Sequence, residues 1–152
     1  MTRQYSQERA PQMEIPRGFQ WSRAVMAGFI AGAILLIVPR GSPWEGLAFS
    51  EPVVMGRYFP GMAVPLVWLI HLGISIVYGV VISRFVASYR IARALVTGAL
   101  AGLALYILNF AVVKLLWHSG APNELPVIFT HIVFGLIAAG AYRGLLRRRV
   151  IV

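Results

Sequence analysis

The chain of 152 residues is 59% hydrophobic and 12% charged, whereas soluble proteins carry roughly 25% charged residues. This balance excludes an ordinary water-soluble domain and predicts an integral membrane protein. The net charge of +9 raises the question of nucleic acid, but the basic residues stand at the ends of apolar runs, so we expect no nucleic-acid partner. The absence of cysteine excludes disulfides, thiolate metal sites and iron–sulfur clusters.

Residues 1–20 form a polar N-terminal segment, and the first apolar run follows at about residues 21–39. A spanning helix needs about 20 mostly apolar residues, because the hydrocarbon core is roughly 30 Å thick. Arginines before an apolar run are also typical of a secretory signal peptide. Val38, Pro39 and Arg40 offer no small-x-small cleavage site, so we interpret the run as a retained helix.

The rest of the chain completes an all-α membrane protein with a four-helix transmembrane bundle over residues 21–146. An outer loop at 40–61 follows the first helix, and Ser42 to Glu45 carry a helix-start signal that predicts a short interfacial helix there. A basic tail occupies residues 147–152. The three further spanning helices are predicted at about 62–86, 91–117 and 125–142.

The distribution of charge predicts the orientation of the bundle. One side carries Arg40, Arg57 and Lys114, together with three glutamates. Short loops rich in Lys and Arg stay in the cytoplasm, so we expect the N-terminus and the C-terminus to be cytoplasmic in a bacterial inner membrane. The basic residues of that cytoplasmic side are Arg3, Arg9, Arg17, Arg23, Arg84, Arg90, Arg93, Arg143 and Arg147 to Arg149.

The chain contains an internal repeat at an offset of 70 in the odd helices and about 60 in the even helices. Residues 24–32 match residues 94–102 with alanines and glycines in register, and residues 65–71 resemble residues 126–131. Each unit is a two-helix hairpin, so the copies enter the membrane in the same sense. The sequence therefore predicts two parallel-repeat hairpins, unlike the inverted repeats of many transporters.

Glycines at a spacing of four mark one face of the first and third helices. Gly28 and Gly32, like Gly98 and Gly102, place two small residues on one face, where helix backbones can approach closely in lipid. We expect these four residues to be helix-packing positions and the first and third helices to cross through them. A homodimer seam, or a contact to another subunit, is the alternative.

His71 and His131 are the candidate site residues. They follow Pro65 and Pro126 by six and five residues, which places both about 8 to 9 Å inside the outer ends of their helices, facing each other. A facing pair of imidazoles is able to ligate haem b, to bind a metal with Glu51, Glu124 or His118, or to handle a proton or quinone. The competing interpretation is a neutral histidine hydrogen-bonded to a neighbouring helix, for which the available partners are Ser75, Tyr78, Asn109 and Thr130.

The spacing of these residues resembles that of small four-helix inner-membrane proteins of bacteria built from a duplicated two-helix hairpin. The residues that carry the resemblance are His71-x3-Ser75 followed by Gly79, and His131-x3-Gly135. The resemblance covers about residues 21–143 and implies no enzymatic reaction.

Signatures of soluble enzymes are missing from the sequence. There is no aspartate, no nucleophile elbow and no phosphate-binding loop. We therefore expect no enzyme, but a membrane subunit that packs in the bilayer with other membrane-protein subunits or with itself, as in a respiratory or photosynthetic complex. The alternative is a small haem-, metal- or solute-handling protein that uses His71 and His131.

Overall fold

A computed structural model describes residues 18–37, 64–117 and 124–147, and all regular structure in these ranges is helical. Three helices, α2, α3 and α4, are long and apolar enough to cross a membrane, whereas α1 is a shorter apolar helix. The N-terminal segment to residue 17, the outer loop, His118 and the tail beyond residue 147 lie outside the described residues. The helices are α1 (Trp21–Ile37), α2 (Val64–Val86), α3 (Ile91–Trp117) and α4 (Glu124–Arg147).

The predicted bounds hold to within two residues for α2 and α3, but α4 is longer than predicted. It continues to Arg147, five residues beyond the predicted end at Tyr142. Tyr142 and Leu146 are both buried, so the packed face extends one more turn than the hydrophobic run indicates.

The helices alternate in direction and pack chiefly as two pairs, α1 with α2 and α3 with α4, while α1 also lies along α4. The expectation that the first and third helices cross through their glycine faces is wrong. Gly28 lies against Gly79 of α2, and Gly98 lies against Gly135 of α4. Close approach of two backbones requires small residues on both helices, and the even helices supply the second set.

The core is concentrated at the end of the bundle that carries the α2–α3 turn, which we call the turn end. There the Arg143 Nη1 donates to the Ala87 carbonyl oxygen at 2.8 Å, and the Gln20 backbone N–H donates to the Tyr142 hydroxyl at 3.1 Å. α4 therefore joins the start of α1 to the turn. The opposite end, which we call the open end, exposes the large apolar side chains of Leu69, Leu108, Leu115 and Leu125.

Candidate functional site

The backbones of α3 and α4 touch across glycines beside His131. A Cβ atom at Gly98 would lie 2.5 Å from the Gly135 carbonyl oxygen, and one at Gly102 would overlap the His131 carbonyl oxygen. Real Cβ atoms essentially never come within 3.0 Å of such a neighbour. The close approach thus depends on the absence of side chains, and it brings the backbone of His131 against α3.

The buried His131 ring is held at both of its nitrogens. Nδ1 lies 2.9 Å from the Val127 carbonyl oxygen one turn earlier on α4, and Nε2 lies 2.9 Å from Asn109 Nδ2 on α3. A carbonyl oxygen only accepts, so Nδ1 carries the hydrogen and Nε2 of the neutral ring accepts from the Asn109 amide. Tyr106 packs edge-to-face on the ring with 5.7 Å between centroids. These contacts select one tautomer of His131.

Asn109 connects His131 to α2. The Tyr78 hydroxyl donates to Asn109 Oδ1 while Asn109 Nδ2 donates to His131. Together with the bond to Val127, these contacts form a continuous series of hydrogen bonds that passes through three helices. The Tyr78 ring also packs against Phe134 of α4, with 6.4 Å between centroids. We call Tyr78, Asn109 and His131 the polar chain.

His71 lies in the other helix pair and is buried between α1 and α2. Its Nε2 is 3.4 Å from the Gly32 carbonyl oxygen and 3.5 Å from the Ser75 Oγ. Both distances are at the long end for hydrogen bonds. The side chain of Ser75 in turn occupies the space that a Cβ atom at Gly32 would need. These two contacts of His71 are therefore longer than the contacts of His131 with Val127 and Asn109.

Both histidines make the hydrogen bonds of the competing interpretation, and Ser75 and Asn109 are among the partners that it named. The described contacts place His71 between α1 and α2 and His131 between α3 and α4. Binding of haem b or a metal at His131 would require one ring nitrogen to exchange its present partner for the ligand. Within the described ranges, no group of three or more His, Cys, Asp or Glu residues is arranged to hold a metal ion. Cofactor binding by the histidines stays a prediction.

Two contributors were missed in the sequence. Tyr106 precedes Asn109 by three residues, and side chains at this spacing are neighbours on a helix surface. This spacing was the signal in the sequence that could have identified Tyr106. Arg143 was assigned only to the topological charge, but it is buried and bonds the α2–α3 turn. The apolar pair Leu145 and Leu146 after it was the available signal that the packed face continues.

Comparison with known proteins does not extend these observations. The chain matches no protein-family model, no curated protein and no solved structure.

Proposed function

We propose that this chain is a non-enzymatic integral membrane subunit of a bacterial inner membrane, associated with the helices of other subunits in a larger assembly such as a respiratory or photosynthetic complex. All four helices span the bilayer, and both termini are cytoplasmic. The excess of arginine at the turn end supports this orientation, because Arg84, Arg90 and Arg93 stand at or beside the α2–α3 turn.

The shorter helix α1 is included among the spanning helices because of its length and packing. Its 17 residues extend about 25 Å, against a hydrocarbon core of roughly 30 Å. A mismatch of this size is accommodated by local thinning of the bilayer or by snorkelling of flanking residues. α1 also packs along both α2 and α4, as expected for a helix that crosses with them.

Equivalent contacts in the two helix pairs support a duplicated hairpin. Gly28 approaches Ser75 as Gly98 approaches Gly135, and Gly79 approaches Gly28 as Ala139 approaches Gly98. These contacts relate the odd helices by an offset of 70 and the even helices by 60, the offsets of the sequence repeat. The two hairpins thus form parallel repeats in the proposed arrangement.

The observation that carries the proposed association is the exposure of α3 next to a polar side chain. Only 17% of the spanning window Ile91–Val112 is buried, against 44% for Val127–Leu146. Asn109 is half-buried, and Leu108 and Val112 beside it are exposed. The bonds of Asn109 to His131 and Tyr78 use one Nδ2 hydrogen and one Oδ1 lone pair. The amide has a further hydrogen and a further lone pair, and contact of these with hydrocarbon is costly. A helix of another subunit lying against this side of α3 would remove the amide from lipid.

The test is to purify the tagged chain from its native membrane in a mild detergent and identify the co-purifying proteins by mass spectrometry. We expect stoichiometric recovery with other membrane subunits. Leu108→Trp should reduce that recovery, because the enlarged side chain occupies the proposed contact on α3. Recovery of a stable monomer without partners would overturn the proposal.

A matched control for this variant lies on α2. Val77 is 59% exposed and Leu108 is 55% exposed, so Val77→Trp makes a comparable change on a different helix face. We expect Val77→Trp to leave the recovery of partners unchanged. Equal losses in both variants would indicate a general effect on folding and not a contact at α3.

A further inference from the structure

The polar chain has a property that helix association does not require. Its hydrogen bonds all run in the same direction: Tyr78 donates to Asn109, Asn109 to His131 and His131 to the Val127 carbonyl oxygen. Tyr78 and His131 are the ionisable side chains of this series, and both lie between helices of membrane-spanning length. Histidine is the residue type of the two that exchanges a proton near neutral pH. Ionisable residues at such positions are expensive and usually mark ion or proton sites.

We propose that His131 is an intramembrane proton-binding site, and that the Asn109 amide turns over when the proton binds. The inference does not rest on the proposed role as a subunit of a larger assembly. It follows from the hydrogen-bonding groups that His131 presents before and after protonation.

The proton binds to the lone pair of Nε2, and no other covalent bond changes. Nδ1 keeps its hydrogen bond to the Val127 carbonyl oxygen, whereas Nε2 becomes a donor and can no longer accept from Asn109. A half-turn of the amide presents Oδ1 to Nε2–H and presents Nδ2 to the Tyr78 hydroxyl oxygen. Tyr78 then accepts from Asn109, and its own hydroxyl hydrogen turns to a different acceptor.

Asparagine is suited to this exchange because a carbonyl oxygen and an NH2 group stand at equal reach on one planar group. A carboxylate at position 109 would accept from both neighbours, and a leucine would interact with neither. Asn109 is also half-buried while His131 is buried. Asn109 therefore lies on the more exposed side of the polar chain than His131 does.

The reversed amide also stabilises the protonated state of the ring. The sequence has no carboxylate between Glu51 and Glu124 or after Glu124, which begins α4 two turns before His131. The helices α1, α2 and α3 carry no carboxylate side chain, and the hydrogen bond from Nε2–H to Asn109 Oδ1 stabilises the positive charge. At the turn end, these helices and the turn carry several charged or titratable side chains, namely Arg23, Arg84, Tyr89, Arg90, Arg93, Tyr142 and Arg143. Nearer to His131 are Tyr106 and the exposed Lys114 of α3 and Tyr78 and His71 of α2, and residues 24–37 of α1 have none.

The proposal is tested by solid-state NMR of the full chain in lipid bilayers, with nitrogen-15 in the histidine rings and the asparagine amides. The chain has three histidines and one asparagine besides Asn109, namely Asn123, so each signal is assigned by one substitution. At high pH we expect His131 with its hydrogen on Nδ1. As the pH falls, Nε2 should gain a proton, and the Asn109 amide signal should shift at the same midpoint.

Two variants separate the reversal from unrelated titrations. Tyr78→Phe removes the hydroxyl group at the α2 end of the polar chain and should leave the coupled shift of Asn109 and His131 in place. His71→Gln is the matched control, because it removes the other buried histidine without touching the polar chain, and the coupled shift should again persist.

Three results would overturn the proposal. The first is a His131 hydrogen on Nε2 at high pH. The second is a His131 ring that does not titrate while the bundle stays folded, and the third is an Asn109 signal that stays constant while His131 titrates. Each of these is read from the unsubstituted protein, so a variant that fails to fold leaves the test intact.

Discussion

In the hairpin of α1 and α2, the backbones come closest where Gly79 meets the Cα atom of Gly28. One turn along α2, Ser75 carries a side chain that fills the space beside Gly32. This side chain lies 3.5 Å from His71 Nε2, so the histidine is bonded within its own helix pair.

In the hairpin of α3 and α4, the small side chain stands at the other of these two positions on the even helix. In the proposed duplication, Gly135 takes the place of Ser75; it has no side chain and lies against the Gly98 carbonyl group. Ala139 takes the place of Gly79 and carries a methyl group. The backbone of His131 is then in contact with α3, and its ring reaches Asn109. In the first hairpin, the small side chain stands at Ser75, and His71 is bonded within its own helix pair. In the second hairpin, the small side chain stands at Ala139, and His131 belongs to the polar chain, which joins three helices.

The largest expected effect is that of a methyl group at the closest approaches. Gly135→Ala places a Cβ atom onto the Gly98 carbonyl group, and Gly79→Ala places one onto the Gly28 backbone. Because backbone atoms cannot rotate away, we expect each change to cost the upper end of the ~1–3 kcal/mol typical of overpacking. The free energy of unfolding in mixed micelles, followed by circular dichroism, measures this cost.

Gly73→Ala is the control for these variants. No atom lies within 4 Å of a Cβ built at Gly73, and alanine favours a helix over glycine by about 1 kcal/mol. We expect unchanged or slightly increased stability. A loss as large as that of Gly135→Ala would mean that close approach is not the cause.

The next effect concerns one of the two hydrogen bonds that join the hairpins at the turn end. Arg143→Met keeps most of the side-chain volume but removes the hydrogen bond to the Ala87 carbonyl oxygen. A hydrogen bond from a charged group contributes roughly 1.5–3 kcal/mol, so we expect a loss of about 2 kcal/mol by the same unfolding measurement. Arg84→Met, at an exposed arginine in the last turn of α2, should change stability far less. Equal losses would show that the bond to the turn is not responsible.

A smaller effect is expected in the polar chain. Asn109→Leu removes the bonds to Tyr78 and His131 together, and hydrogen bonds between membrane helices contribute about 0.6 and at most about 1.7 kcal/mol each. We expect a loss of roughly 1–2 kcal/mol in the same unfolding measurement. The His131 hydrogen should stay on Nδ1 in the nitrogen-15 spectrum, because the bond to the Val127 carbonyl oxygen remains. A hydrogen that moves to Nε2 in this variant would show that the Val127 carbonyl oxygen does not determine the tautomer.

The smallest effect belongs to the corresponding site of the first hairpin. Ser75→Ala removes only the long contact to His71 and retains the Cβ atom beside Gly32. The expected loss is about 0.6 kcal/mol or less, measured by the same unfolding experiment. A loss equal to that of Asn109→Leu would remove the proposed difference between the hairpins.

Much of the fold was predictable because helices of this length and hydrophobicity follow from the thickness of a bilayer. α2 and α3 begin and end within two residues of their predicted bounds, and His71 and His131 are both hydrogen-bonded to residue types that the sequence offered. The direction of helix packing was not predictable. Gly28 and Gly98 identify a face for close approach, but a glycine face does not specify which neighbouring helix it meets.

By itself, the sequence determined four apolar helical segments and the two histidines that lie within them, whereas the structure shows that three of the helices are long and apolar enough to span a membrane. Only the tertiary structure decided that each glycine face packs inside its own hairpin, that Arg143 is buried against the α2–α3 turn, and that Asn109 lies between Tyr78 and His131. Hydrophobicity and length are properties of a segment, so they are readable along the chain. The partner of a polar side chain depends on the rotation and spacing of whole helices, which are determined only when all the helices pack together.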